Sequence, residues 1–278
     1  MTEVAVIIPA YNPGRYLRDT LASIVEQTFD DWEAVVIDDG SDEPLNWVEK
    51  VDSRIRRIRQ SNLGLSAARN RGITATTAPL LAFLDADDLW LPTKLEMQVR
   101  ELAARPDLGM LSTRFNIIDA DGLSVGPGFE GHHDSYRALL TGNGVCVSTV
   151  IVRREMLRQI GDFDTRLAAV QDWDLWLRIA KIAQVDRLSE SLTYYRVHAG
   201  GMSKDWRRTY LESREVLHRH DHTDVKEGLR HVRRLAAFQA LDAAREAYHE
   251  RDHVGLVRNL GFVGLLRPSL LARSVGQR

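Results

Sequence analysis

The chain has 278 residues, a formal net charge of −2 and 44% hydrophobic content. That length suits two domains, or one large α/β domain with an extension, and can bury a sizeable core without covalent staples. A single cysteine, Cys146, excludes an intramolecular disulfide and a cysteine zinc cluster and fits a reducing compartment, while the near-neutral charge gives no whole-chain electrostatic case for nucleic-acid binding.

Residues 4–9 form a continuous apolar, β-branched run, which predicts a strand buried on both faces. Leu17, Leu21, Ile24 and Val25 recur at helical spacing and predict a helix over 15–27. A second buried strand is expected over 33–38, ending in the turn formers Asp39, Gly40, Ser41 and Asp42, and a third over 55–59, where apolar residues alternate with arginines. A helix through Ala67, Ala68 and Ile73 leads to a strand over 80–84, which stops at Asp85, Ala86, Asp87 and Asp88. The next helix covers 94–104. Strands alternating with helices of this length imply right-handed crossovers and a mostly parallel sheet flanked by helices, an α/β fold.

The pattern changes after about residue 105. Strands are expected over 108–115 and 147–152, with a glycine-rich loop over 122–131 between them. A helix over 154–160 precedes Gly161, and Trp173, Trp176, Leu177, Ile179 and Ala180 share one face of a helix over 172–183. Short strands follow at 185–188 and 192–197. From Lys204 the composition is helical and arginine-rich, with 15 Lys+Arg against 10 Asp+Glu, whereas the first 203 residues carry 22 against 29. The asymmetry places a boundary there, dividing residues 1–203 from a helical, basic extension over 204–278.

In a parallel sheet, ligands bind beyond the carboxyl ends of the strands. On that edge Asp38, Asp39, Asp85, Asp87 and Asp88 would converge, and like charges so placed repel unless they share a cation. A hard divalent ion, Mg²⁺ or Mn²⁺, meets that need and takes one or two carboxylates plus substrate phosphates. The plainer alternative is that Asp and Ser after a strand act as turn formers or helix caps. Tyr11, just past the first strand, offers a face for a nucleobase, and Arg69 sits at a loop-to-helix entry where a diphosphate is within reach.

Pro9-Ala10-Tyr11-Asn12, Asp38-Asp39-Gly40-Ser41, Asn62 with Gly64 and Ala68-Arg69-Asn70, Asp85-Ala86-Asp87-Asp88, and Gln171-Asp172-Trp173-Asp174-Leu175-Trp176-Leu177 occur in that order. Together they resemble the family-2 glycosyltransferases of the GT-A fold, over about residues 3–203. The resemblance implies a nucleotide-diphospho-sugar transferase domain with an inverting mechanism. It implies that Tyr11 and Asp39 hold the nucleobase, that Pro9, Ala10 and Asn12 line its pocket, and that Arg69, Asp85 and Ala86 lie against the nucleotide-sugar. It assigns Asp87 and Asp85 to a metal-binding Asp-x-Asp motif, His198 to a further metal or diphosphate contact, and Asp172 to the general base. Many members carry Glu-Asp where this chain has Gln171-Asp172, so one carboxylate is missing beside the base.

Each residue has a plainer role to weigh: Asp172 as a helix cap, Trp173 and Trp176 as core rather than sugar platform, His198 as a non-catalytic histidine. The resemblance implies a UDP-sugar donor and a glycan or lipid-linked acceptor in polysaccharide or glycolipid synthesis. The alternatives are a sugar-phosphate nucleotidyltransferase, disfavoured by the single glycine after the first strand, and a non-catalytic nucleotide-sugar binding module. No 20-residue apolar span or signal-peptide core is present, so the sequence reads as cytoplasmic. Residues 253–278 carry four arginines and no acid among many leucines, which suits either packing against the catalytic domain or peripheral contact with the inner face of a membrane. Residues 122–131 and the segment after His198 are candidate lids.

Overall fold

A computed structural model describes residues 2–128, 135–198, 205–220 and 222–267. These fall in two compact units. The first carries the sheet: β1 (Val4–Ala10), α1 (Tyr16–Val25), β2 (Trp32–Asp38), β3 (Ile55–Arg59), α2 (Leu65–Thr74), β4 (Leu80–Phe83), β5 (Leu89–Trp90), α3 (Lys94–Ala104), β6 (Leu108–Ile118), β7 (Ser124–Pro127), α4 (Tyr136–Thr141), β8 (Ile151–Arg153), α5 (Arg154–Ile160), α6 (Gln171–Ala180) and β9 (Gln184–Arg196). The strands form one sheet in the order β3-β2-β1-β4-β8-β6-β9-β5, with β7 paired to β6.

The parallel expectation holds for β3, β2, β1 and β4, but the sheet as a whole is mixed: β8 runs antiparallel to both β4 and β6, and β5 to β9. Every residue of β1 is buried, as its unbroken apolar run requires. Leu17, Leu21 and Ile24 of α1 and Leu95, Val99 and Leu102 of α3 pack with Val4, Val6, Ile8, Ala34 and Val36 in the main core. On the other side α2 approaches β1 closely, for a Cβ on Gly72 would lie 2.5 Å from Ile7 Cγ2.

Three local expectations change. The strand expected over 147–152 is a 3₁₀ turn, Val147–Thr149, followed by β8: Thr149 closes the turn by donating from both its N–H and its hydroxyl to Cys146 O, while the Ser148 hydroxyl reaches out to Asp88. The two short strands expected near the end of this unit are one long strand, β9, interrupted by register shifts against β6. Residues 122–128 of the glycine-rich loop form a turn and β7 rather than open coil; residues 129–131 and the segment after His198 lie outside the described residues.

The second unit contains α7 (Trp206–His218), α8 (Val225–His249) and α9 (His253–Leu266). Asp205 and Asp252 cap α7 and α9 by accepting from the backbone N–H groups of Arg208 and Gly255. Trp206, Ala236, Ala237, Ala240, Val263 and Leu266 make its core, with the Trp206 and Phe262 rings edge to face at 5.3 Å. Val254, Val257 and Leu265 of α9 remain exposed. No described helix is long and apolar enough to cross a membrane.

Candidate active site

The ends of β1, β2 and β4 lie side by side, since Ala10 pairs with Asp38 and Ile7 with Phe83. The turns that follow are tied back to the sheet: Asp39 N–H donates to Ala10 O at 2.8 Å and Leu84 N–H to Ile7 O at 3.1 Å. Pro9 and Ala10 are buried in β1, while Tyr11 is 52% exposed, leaving a ring face open. Asn12 takes the left-handed conformation (φ 45°), which asparagine tolerates. Its backbone N–H donates to Ser41 Oγ, and its carboxamide exchanges two hydrogen bonds with Asp42, each 2.9 Å. The Asn12 side chain therefore clasps the first turn to the second.

Each of the five strand-end carboxylates has a partner of its own in the structure. Fully buried Asp38 faces Arg59 at 2.9 Å and Arg57 at 3.5 Å. Asp39 accepts from Gln60 Nε2 and from the backbone N–H groups of Leu63 and Gly64, so it organises the loop entering α2. Asp88, also fully buried, lies 2.5 Å from Ser148 Oγ and accepts from Arg196 N–H; burial, then the charges of Asp87 and Asp85, hold its carboxyl well above the ordinary range. It is an internal strut that joins β4, the Ser148 turn and β9.

Asp85 and Asp87 separate. Asp85 accepts from Arg69 Nη2 at 2.6 Å. Asp87 lies 2.9 Å from His198 Nε2, with the His198 ring 4.8 Å from that of Tyr16. Burial raises the Asp87 carboxyl, as does Asp85, while His198 opposes both. Ala86 between them is fixed by Thr20 Oγ1, which donates to its carbonyl at 3.0 Å. Of the three expected metal ligands, the structure thus brings two together. Among the described residues no group of three or more His, Cys, Asp or Glu side chains is placed to enclose a metal. A carboxylate beside an imidazole still suits a divalent ion that completes its shell with substrate phosphates.

Arg69 is 1% exposed and stands over the Phe163 ring at 5.3 Å. Its Nη2 is used by Asp85, but Nε and Nη1 are buried with no acceptor among the described residues. Buried donors left unpaired cost roughly 1–3 kcal/mol each, so this is a place where a ligand's oxygens would be welcome.

Asp172 occupies the second position of α6, whose cap is Val170; the cap role expected for Asp172 does not apply. Its carboxylate accepts from Trp173 N–H at 2.7 Å and from Asn143 Nδ2 at 3.2 Å. Burial raises its pKa above the ordinary carboxylate value, and Arg69, Trp173 N–H and Asn143 partly oppose that. Asp172 is nevertheless partly exposed, as a proton acceptor must be. Trp173 and Trp176 are buried: Trp173 Nε1 donates to Leu139 O, and Trp176 packs tilted against Phe83 and edge to face with Phe163. They are core that seats α6. Gln171 is buried, and its Oε1 has no described partner.

Asn143, Ser148 and Arg196 escaped the sequence reading. Each meets its acid across 29, 60 or 108 residues, and no local spacing signals such a contact.

Residues 5–161 match the family described as Glycosyl transferase family 2. The chain is 32% identical over 216 residues to the "Uncharacterized glycosyltransferase alr2836" of Nostoc sp., covering 70% of this chain and 65% of that protein, so it spans just under two thirds of that relative. It is 30% identical over 181 residues to the "UDP-Glc:alpha-D-GlcNAc-diphosphoundecaprenol beta-1,3-glucosyltransferase WfgD" of Escherichia coli, covering 64% of this chain and 70% of that protein. The structure of S. aureus TarS 1–349 in complex with UDP-GlcNAc superposes with a TM-score of 0.69 at 19% identity, covering 95% of this chain and 81% of that one. At that identity the likeness speaks for the fold.

Proposed function

The chain belongs to glycosyl transferase family 2, and from that premise we propose that it moves a sugar from a UDP-sugar to a hydroxyl of a diphosphate-linked glycan lipid, with inversion. The observation that carries the reading is a partly exposed Asp172 that feels the charge of Arg69, together with two buried Arg69 donors that have no acceptor among the described residues. The names of WfgD and of the TarS complex supply the donor class, and that of WfgD the acceptor class.

In this mechanism the acceptor hydroxyl attacks the anomeric carbon from the face opposite the nucleotide. Asp172 takes the hydroxyl proton as the new C–O bond forms, a contribution of about 10²–10⁴-fold. The bond to the diphosphate breaks, and Nε and Nη1 of Arg69 donate to the oxygens that gain charge. Tyr11 stacks on the uracil, and the loop that Asp39 and Asn12 hold together forms the floor beneath it. Asp87 and His198 would hold Mg²⁺ or Mn²⁺, which supplies Lewis-acid stabilisation of the leaving diphosphate when bound. Asp85 keeps Arg69 in position.

The exposed apolar face of α9, with Arg258 beside it, suits the surface of an anionic membrane where a lipid-linked acceptor resides.

The test is thermal unfolding with UDP, GDP and dTDP, each with Mn²⁺ and with a chelator. A ligand at 100 times its Kd adds about 2.7 kcal/mol, or roughly 5–10 °C at the ~2–4 °C per kcal/mol typical of this size. A UDP shift that needs Mn²⁺ is the expected result. No shift with any diphosphate would remove the donor site.

A further inference from the structure

The acidic strand edge has a basic counterpart a short distance away. The β6–β9 ladder breaks where Ser112 pairs with Arg187 and Arg114 with Ser191, so four residues of β9 face two of β6. The irregularity opens a cavity of about 70 Å³ lined by Ser112, Arg114, Arg187, Ser191, Gly144 and Val145, among others, none of them acidic. It has room for several waters or a small oxyanion.

Two features give the cavity its charge. Arg187 is half-buried, and its guanidinium has no hydrogen-bond or ion-pair partner among the described residues. The adjacent acid, Asp186, is engaged by Arg105 and by Arg187's own backbone N–H rather than by its side chain. Arg114, exposed on the same rim, adds a second positive charge. Its position relative to the chemistry is set by Asn143: this residue donates to Asp172, and Gly144 and Val145 follow it directly in the cavity wall. The cavity wall and the candidate base therefore meet in one short segment, residues 143–145.

We propose that this cavity is the phosphate subsite for the acceptor, holding one phosphoryl group of a glycosyl diphosphate through Arg187 while the sugar hydroxyl reaches Asp172. This rests on the glycosyl-transfer reading for the identity of the acceptor, but the anion site can be tested without turnover. The planar guanidinium suits two oxygens of one phosphate, and Ser191 lines the same wall, while the Ser112 hydroxyl donates to Asp186 O.

The experiment is equilibrium binding to the full chain of two probes: an N-acetylglucosaminyl diphosphate on a short alkyl chain, and the matching alkyl N-acetylglucosaminide without phosphate. Both are measured in wild type, Arg187→Ala and Arg187→Gln, with UDP affinity as the control. The expected result is at least tenfold tighter binding of the diphosphate probe by wild type, loss of that preference in both variants, and unchanged UDP affinity and unfolding temperature. Equal binding of the diphosphate probe by wild type and the variants would overturn the proposal. So would a parallel loss of UDP affinity, which would give the arginine to the donor. Arg187-dependent binding without transfer from any nucleotide sugar would leave the anion subsite standing and retire the catalytic reading instead.

Discussion

As the proposed base, Asp172 has two demands to reconcile, since a base must be ionised and yet basic enough to take a proton. Burial lifts its pKa, and Arg69, Trp173 N–H and Asn143 limit the rise. Asp172→Asn is expected to cut transfer by about 10²–10⁴-fold while UDP binding, read by thermal shift, stays at the wild-type level. Because the carboxylate form is the active one, kcat/KM should fall as pH drops through the raised pKa, with the acid limb above the ordinary aspartate value. Asn143→Ala removes a hydrogen bond to the charged form, so that limb should move to higher pH; a pH–rate profile in which the variant's limb is unmoved or lower would contradict the assignment. Asp87→Ala should abolish the Mn²⁺-dependent part of UDP stabilisation, and an unchanged Mn²⁺-dependent shift would exclude Asp87 as a ligand. The strand-end motifs in the sequence made these residues legible, but not their separate duties. Asp38, Asp39 and Asp88 sit in the same strand-end motifs, and the partners that each one meets, such as Arg59, Gly64 and Ser148, lie too far along the chain for local spacing to signal.

At the scale of elements, each helix that serves the site is placed by its contact with the sheet. α2 carries Arg69 and lies so close to β1 that Gly72 touches Ile7. Gly72→Ala should therefore destabilise the fold by about 1–3 kcal/mol through overpacking, measured by denaturant midpoint, and should weaken UDP binding by shifting Arg69. A stable variant with normal UDP affinity would show that this contact does not set Arg69. α6 is fixed by the burial of Trp173 and Trp176, so Asp172 emerges at its first turn on a rigid base. The periodicity of α3 and α5 and the apolar runs of β1 and β4 were readable in the sequence. The turn at 147–149 was not, since Val147, Val150, Ile151 and Val152 continue an apolar pattern whose interruption depends on where the Ser148 hydroxyl bonds.

Across the whole molecule, charge is divided by task. The first unit gathers acids at its strand ends, while the second is a three-helix unit with an apolar, exposed stripe and no acid in α9. Substituting Val254, Val257 and Leu265 by glutamate leaves the buried contacts of Val263 and Leu266 intact. It should abolish co-sedimentation with phosphatidylglycerol vesicles without changing the unfolding temperature. Co-sedimentation equal to wild type would refute the membrane reading.

The sequence by itself determined the α/β class, the order of motifs along the first unit, the family and the helical nature of the extension. These depend on local periodicity and on short spacings that survive in one dimension. Only the tertiary structure decided that the sheet is mixed, that Asp85 turns to Arg69 while Asp87 turns to His198, and that Asp172 is steadied by Asn143. It also decided that Arg187, whose side chain has no partner among the described residues, lines a cavity at a break in the ladder. Those facts depend on which distant side chain reaches a charged group first, and on where a strand pairing slips. Both are settled by packing, which no window of sequence contains.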